Sequence, residues 1–184
     1  MKYSEQDMRE KFRKIKDYYS RIVEETGKVK VTGYGVWGGS DCDIIFNFFK
    51  KIKLQDYENI VDLGSGDGRV VLIASLFTQA IGFEMDKQLM RLAKEGRDAL
   101  GIDAEFRTED FYKENLSRYD CMFIYPDKHS YMKMRSKFLR ELKGKLFVYK
   151  IFKPNYLKKK KDYYFGKIVI SEFENPEKPT EIFK

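Results

Sequence analysis

The sequence predicts an α/β protein built on a doubly wound, mostly parallel sheet. Between residues 59 and 153, short apolar runs of strand length alternate with helical segments, which is the pattern of βαβ units. A glycine-rich turn, VDLGSGDGRV, follows the first of these strands, where such sheets place their ligand crevice. The chain has 184 residues, the size of one ordinary domain, so we expect a single domain over residues 1–184.

The residues before the sheet predict two helices. Ser4 and Asp7 have the spacing of a capping box, and apolar residues follow at helical spacing, so residues 1–27 are expected to form an amphipathic helix. Asp41 or Asp43 can cap a second helix whose apolar residues face a core. The segment between them, GKVKVTGYGVWGGSDC, is predicted to be a glycine-rich loop.

The βαβ core is expected over residues 59–153. Its predicted strands are NIVDLG, AIGFEM, AEFRTED, YDCMFIY and KLFVYKIF, and its predicted helices are RVVLIASLF, DKQLMRLAKEGRDALG and residues 128–142. After Pro154, a strand at KIVISEFE and a shorter one at TEIF predict a closing antiparallel hairpin, because no crossover helix is present there. The run Lys158–Lys161 is predicted to be a solvated loop unless an acidic partner docks on it.

Composition excludes several classes of protein. Two cysteines and one histidine leave no zinc cluster and no disulfide framework, so no metal site is expected. The N-terminus is too charged for a signal peptide and no stretch is long enough for a membrane span, so we expect a cytoplasmic protein that does not enter the membrane. Oligomeric state is not predicted.

The positive charge of the chain is concentrated in its C-terminal third. The net charge is +7, yet residues 1–127 carry 20 basic and 23 acidic side chains, whereas residues 128–184 carry 16 and 6. Such an asymmetry is typical of a surface for nucleic acid or an acidic partner, and equally of a lysine-rich solvated face.

The glycine turn predicts a ligand other than a dinucleotide. Gly64, Gly66 and Gly68 have the spacing Gly-x-Gly-x-Gly, whereas the dinucleotide fingerprint requires Gly-x-Gly-x-x-Gly. Asp62 places a carboxylate beside this loop, where it repels a pyrophosphate but can hold an amine. Ser65 lies within the same loop, so we expect it to belong to the ligand site.

Two further acids, Glu84 and Asp110, end the next two predicted strands. Glu84 is positioned to accept hydrogen bonds from both hydroxyls of a ribose, while Asp110 and Phe111 can hold and cover an adenine. These features also have purely structural interpretations. The glycine loop can be an ordinary turn, Asp86, which lies two residues after Glu84, can be only a helix cap, and Asp110 can cap the following turn. A ligand with an ammonium, a ribose and an adenine but no phosphate is S-adenosylmethionine, which we therefore predict as the cofactor.

The motifs IVDLGSGDGRV, IGFEMD, TEDF and YDCMFIYPD resemble the successive motifs of class I S-adenosylmethionine-dependent methyltransferases over roughly residues 30–153. Within that superfamily the chain is most similar to the small protein-lysine methyltransferases of archaea and their mitochondrial relatives. The resemblance implies a Rossmann-like fold, with Asp62, Gly64 and Gly66 near the methionine end of the cofactor, Glu84 on the ribose, and Asp110 and Phe111 around the adenine.

The segment after the fourth strand of the core, YPDK, holds the candidate catalytic residues. An attacking amine must lose a proton, and Tyr125 or Asp127 could accept it. The segment departs from the Asn/Asp-Pro-Pro-aromatic pattern of enzymes that methylate the exocyclic amines of bases. Alternatively, Pro126 and Asp127 only begin the next helix.

Trp37 lies among glycines, together with Tyr34, and is expected to cover the cofactor or line the channel of the methyl acceptor. The alternative is an anchor that holds the N-terminal helix to the sheet. His129 is expected to be a surface residue.

The resemblance predicts a methyltransferase acting on protein lysine. The alternatives are an RNA methyltransferase, for which the basic C-terminal third would supply phosphate contacts, and a non-catalytic protein that binds S-adenosylmethionine.

Overall fold

The computed structural model describes residues 3–26, 29–32, 35–126, 132–149 and 154–177. Its helices include α1 (Glu5–Thr26), α2 (Cys42–Lys51), α3 (Arg69–Ala74), α4 (Lys87–Leu100) and α5 (Arg135–Glu141). No helix in the described ranges is both long enough and apolar enough to cross a membrane.

The strands form one small and one large sheet. The small sheet is the antiparallel pair β1 (Val29–Thr32) and β2 (Gly35–Gly38). The large one has seven strands in the order β5-β4-β3-β6-β7-β9-β8: β3 (Asn59–Leu63), β4 (Gln79–Phe83), β5 (Glu105–Arg107), β6 (Cys121–Ile124), β7 (Lys145–Tyr149), β8 (Lys158–Phe165) and β9 (Ile168–Glu174).

The strand order confirms the predicted fold. Strands β3 to β7 pair in parallel, and β9 runs antiparallel to both β7 and β8, so a C-terminal hairpin closes the sheet. The chain leaves β3 towards β4 and β5 and later returns to build β6 and β7 on the other side. The switch point of the topology therefore lies between β3 and β6, where open α/β sheets bind their ligands.

Both faces of the sheet are covered. Along β6, Cys121 and Phe123 point into the core shared with α1 to α4, whereas Met122 and Ile124 face the core shared with α5. Phe48 of α2 is fully buried, and its ring meets that of Phe147 edge to face at 5.1 Å. Such pairs contribute about 0.5–1.5 kcal/mol beyond the burial of their area, so α2 is held firmly against the sheet.

The predicted caps of the N-terminal helices are present. Asp7 N–H donates to Ser4 Oγ at 3.1 Å, and Ser4 Oγ donates to the Asp7 carboxylate at 2.6 Å. Asp41, not Asp43, is the N-cap of α2 and accepts from Ile44 N–H at 3.0 Å. Helix α1 begins and ends within the predicted range.

Two segments predicted as loops contain strands. The glycine-rich segment before α2 contributes β1 and β2, whose partners in the hairpin lie only a few residues away. Lys158–Lys161 forms the first half of β8 at the edge of the large sheet, with a bulge between Lys159 and Lys161. All four lysine side chains are exposed. Lysine on an edge strand opposes pairing with other chains, so a charged run is compatible with this position in the sheet.

Two other boundaries differ from the prediction. Strand β5 ends at Arg107, so Asp110 lies beyond the strand and not at its end. Of the predicted helix over 128–142, α5 accounts for Arg135–Glu141, and residues 127–131 lie outside the described part of the chain. The predicted strand at TEIF also lies outside it.

Candidate active site

The glycine loop, Gly64–Gly68, follows β3 at the switch point of the sheet. Gly64, Gly66 and Gly68 have φ angles of +85°, +56° and +84°, a left-handed region that side chains other than glycine rarely adopt. Gly64 N–H and Ser65 N–H both donate to the carbonyl of Phe83, at 3.0 and 2.8 Å. The loop therefore bends across the end of β4, and its three glycines are a conformational requirement.

Glu84 fastens this loop from the next strand. Its carboxylate accepts from Gly66 N–H at 2.9 Å and from Asp86 N–H at 2.7 Å, through different oxygens. Burial raises the pKa of Glu84, and these backbone hydrogen bonds oppose the rise. The backbone of Met85 also donates to this carboxylate, which has about four acceptor positions, so Glu84 can hold the loop and still receive a donor from a ligand.

Asp62 presents a buried carboxylate without a counter-charge. Its side chain is 5% exposed, and within the described part of the chain its carboxylate has no hydrogen-bond or ion-pair partner. Burial, followed by the negative charges of Glu84 and Asp67, raises the pKa of Asp62 well above its usual range. A buried acid left in this state fits a site that receives a cation.

Ser65 points away from the open side of the glycine loop. A Cβ on Gly82 of β4 would lie 2.7 Å from Ser65 Oγ, so the serine side chain occupies the space above that glycine. Ser65 Oγ is buried and has no hydrogen-bond partner among the described residues. Its contribution to a ligand site is thus through its backbone and the shape of the loop.

Asp110 and Phe111 lie in the turn that follows β5. Asp110 Oδ1 accepts from Tyr112 N–H at 3.0 Å, so the residue does cap a turn, and no described residue donates to its second carboxylate oxygen. The rings of Phe111 and Tyr112 stack at 4.7 Å. Asp86 is likewise the N-cap of α4 and accepts from Gln88 and Leu89.

Three aromatic side chains, Trp37, Tyr125 and Tyr149, line the carboxyl ends of β3, β6 and β7, and we call them the aromatic wall. The rings of Tyr125 and Tyr149 are 4.9 Å apart, and a Cβ on Gly38 would lie 3.9 Å from the Tyr125 ring. Tyr149 is buried, and its hydroxyl accepts from Asp41 N–H at 3.4 Å.

Trp37 lies against the glycine loop: its indole nitrogen contacts Gly66, leaving no space for a methyl group there. The indole also lies 5.7 Å from the guanidinium of Arg69, which pairs with Asp67. Tyr19 of α1 donates to the carbonyl of Asp67 at 2.7 Å. Trp37 therefore joins the loop to the cluster that contacts the N-terminal helix, and its predicted place beside the cofactor or acceptor stays a prediction.

Sequence reasoning missed Asp67 and Arg69, although both lie in the glycine motif. Their buried pairing depends on Tyr19, Trp37 and Ser40, which the sequence does not bring near them. The signal that the sequence offered was an acid and a base two residues apart in the glycine motif, Asp67 and Arg69. The predicted residues Asp127, Tyr34 and His129 lie outside the described residues.

Gly64→Ala and Gly66→Ala form a matched pair of substitutions. Both place alanine at a positive φ, which costs roughly 1–2 kcal/mol of stability. Nothing lies within 4 Å of a Cβ on Gly64, whereas a Cβ on Gly66 overlaps the Trp37 indole. We expect Gly66→Ala to be the more destabilising and alone to change the fluorescence of Trp37. Denaturant unfolding and emission spectra measure both effects; equal stability and equal spectra would contradict the proposed contact.

Comparison with known proteins places this geometry in a family. The family model described as the ANTKMT methyltransferase domain matches residues 62–153, half of the chain. A human lysine N-methyltransferase that is named for the ATP synthase is 32% identical over 88 residues. That alignment covers 46% of this chain and 37% of the human protein, so the matched region spans little more than a third of the relative.

Solved structures agree on the fold. An RNA methyltransferase from Salinibacter ruber, crystallised with S-adenosyl-L-homocysteine, superposes with a TM-score of 0.69 at 18% identity, covering 79% of this chain and 99% of that one. A tRNA (uracil-54, C5)-methyltransferase from Pyrococcus abyssi, crystallised with the same compound, gives a TM-score of 0.61 at 14% identity, covering 74% and 40%. The matched glycine loop, fold and family model together show that the chain belongs to the ANTKMT methyltransferase domain family.

Proposed function

We propose that the protein transfers methyl groups from S-adenosylmethionine to lysine side chains of a protein substrate. The observation that carries the cofactor part of this proposal is the carboxylate of Asp62. It is buried without a counter-charge among the described residues, beside a left-handed glycine loop at the switch point of the sheet. The name of the human relative, a lysine N-methyltransferase, supports lysine as the acceptor.

S-adenosylmethionine, the cofactor predicted from the sequence, is confirmed by the family of the chain. When bound, it supplies a methyl group on a positively charged sulfur. Asp62 would balance the cationic methionine end, and the backbone of Gly64 to Gly66 would let that end approach closely. Glu84 would accept from the ribose, and the free oxygen of Asp110 would accept from the adenine amino group, with Phe111 beside the ring.

The aromatic wall suits a lysine side chain as the acceptor. Aromatic faces bind both an alkyl stem and a cationic ammonium; Trp37 lies against the glycine loop, and Tyr125 lies beside Gly38, the residue after Trp37. Most of the acceleration of an in-line displacement comes from positioning of the two reactants. The wall therefore contributes mainly by aligning the amine.

The lysine must be neutral when it attacks, so one group has to take its proton. Tyr125 is half-buried at the end of β6 and is the described residue best placed to pass that proton to water. Tyr149 is not suited to this role, because burial raises its pKa to about 12 and its hydroxyl is committed to Asp41 N–H. Tyr149 instead supports the ring of Tyr125.

RNA is the less favoured acceptor, because lysines of the basic C-terminal region form ion pairs with acids of the same protein. Lys159 pairs with Asp162 at 2.8 Å, Lys160 with Glu174 at 3.3 Å, and Lys145 with Glu172 at 2.8 Å. These lysines, two on β8 and one on β7, are thus partly neutralised by acids of the β8–β9 hairpin, which weakens their attraction for phosphates.

Methyl transfer from radiolabelled S-adenosylmethionine to cell extract tests the proposal. We expect protease, and not RNase, to release the label, and mass spectrometry to locate it on lysine. Tyr125→Phe is expected to retain cofactor binding and to slow the transfer. Label released by RNase, or no labelled macromolecule with a wild-type protein that binds the cofactor, would contradict lysine transfer.

Cofactor affinity is expected to rise with pH above the range in which an ordinary aspartate ionises, as long as the α-amino group of the ligand stays protonated. The pKa of Asp62 is raised by burial and by the charges of Glu84 and Asp67, and a bound cation favours the ionised form. Binding therefore releases a proton. Calorimetry in buffers of different ionisation enthalpy measures this release, and Asp62→Asn should reduce it, because only Glu84, whose pKa burial also raises, then remains to release a proton. The same pH slope in both proteins would contradict the role of Asp62.

A further inference from the structure

A buried guanidinium lies behind the glycine loop, and the proposed reaction gives it no task. Arg69 is the first residue of α3 and is 6% exposed. Its Nε lies 3.1 and 3.0 Å from the two carboxylate oxygens of Asp67, which is 1% exposed. The charge of Arg69 is thus compensated within the loop, so attraction of a ligand is not its main effect.

The other contacts of Arg69 go to segments that surround the site. One terminal nitrogen donates to the carbonyl of Ser40 at 3.1 Å, in the junction between β2 and α2. The guanidinium lies 5.7 Å from the Trp37 ring and 4.9 Å from the Tyr19 ring. Since Trp37 in turn contacts Gly66, Arg69 links the β2–α2 junction, helix α1 and the glycine loop.

The junction is shaped to receive this side chain. A Cβ on Gly39 would lie 2.7 Å from a terminal nitrogen of Arg69 and 2.9 Å from its central carbon. At the two ends of the junction, Tyr149 accepts from Asp41 N–H, and Gly38 lies beside Tyr125. The junction, Gly38–Asp41, therefore contacts both Arg69 and the two tyrosines of the aromatic wall.

We propose that Arg69 is a positioning residue: its guanidinium holds Trp37 and the Gly38–Asp41 junction against the glycine loop and so fixes the aromatic wall. The inference rests on the proposed function, because the wall is the proposed acceptor site. Arg69 acts through Trp37 and the junction, and its loss misplaces the acceptor rather than the cofactor.

Two variants disturb this arrangement while a cationic side chain stays at position 69, near Asp67. Arg69→Lys keeps the positive charge but lacks the planar fork that contacts Asp67, Ser40 and the Trp37 ring together. Gly39→Ala keeps Arg69, while its methyl group takes the space of the guanidinium end. Arg91→Lys on α4, where the arginine is exposed, is the matched control.

Transfer kinetics, cofactor calorimetry and the emission of Trp37, the only tryptophan of the chain, are measured on all three variants. In Arg69→Lys and Gly39→Ala we expect kcat to fall roughly tenfold or more, because small misplacements of a reactant are costly in rate. The Kd for S-adenosylmethionine should change less than about twofold, well below the tenfold that corresponds to 1.4 kcal/mol. The Trp37 emission should shift, and Arg91→Lys should match the wild type throughout.

Unchanged kcat and unchanged Trp37 emission in both variants would overturn the inference. So would a loss of cofactor affinity equal to the loss of kcat, because Arg69 would then serve the loop alone. If the wild type binds the cofactor but transfers no methyl group, the proposed function fails, and the Trp37 emission still decides whether Arg69 holds the indole in place.

Discussion

Glu84→Ala is expected to weaken S-adenosylmethionine binding about 100-fold or more, which corresponds to roughly 3 kcal/mol. The substitution removes the acceptor for Gly66 N–H and Asp86 N–H, and hydrogen bonds to a charged group contribute about 1.5–3 kcal/mol each. It also removes the proposed contact with the ribose. In this variant the glycine loop loses its anchor directly after β4, and the ribose loses its proposed acceptor.

Two controls separate binding from folding in this experiment. Glu84→Gln keeps one acceptor oxygen, so we expect an intermediate loss of affinity, about tenfold. Glu95→Ala removes an exposed acid of α4 and should bind like the wild type. Calorimetry gives the affinities, and denaturant unfolding checks that each variant is folded. Equal affinity of Glu84→Ala and the wild type would exclude Glu84 from the cofactor site.

The features that the sequence predicted best are those defined by neighbouring residues. The left-handed glycines, Asp62 and Glu84 lie within or directly after strands whose apolar runs are unmistakable, so local pattern was sufficient to bring them to one edge of the sheet. The alternation of strands and helices likewise determined which strands run parallel. The family model spans this same region, residues 62–153.

The features that sequence reasoning missed depend on partners far along the chain. Charge predicts a loop at Lys158–Lys161, but the run pairs with β9 on either side of one bulge, and Lys160 forms an ion pair with Glu174 of β9. Asp110 was predicted at a strand end because the apolar pattern does not reveal where β5 stops. The burial of Arg69 could not be predicted, since an arginine in a polar motif is usually exposed.

The buried pair of Asp67 and Arg69 offers the largest expected effect on stability. Arg69→Gln leaves the Asp67 carboxylate buried without its partner, and breaking such a pair typically costs about 3–5 kcal/mol. Asp67→Asn leaves the guanidinium in the same position and should cost a similar amount. The double variant removes both charges, so its loss of stability should be smaller than the sum of the two single losses by about 1–3 kcal/mol.

A second double-mutant cycle on Arg91 and Glu95 provides the matched comparison. These residues form an exposed ion pair at 3.5 Å on α4, and pairs of that kind are worth only about 0.3–0.5 kcal/mol. Denaturant unfolding of the two cycles gives the two coupling energies directly. A coupling energy at Asp67 and Arg69 no larger than that of the surface pair would mean that water enters the cluster in solution. The Gly38–Asp41 junction would then lack a firm anchor on Arg69, and Trp37 would have to be fixed by its contact with Gly66.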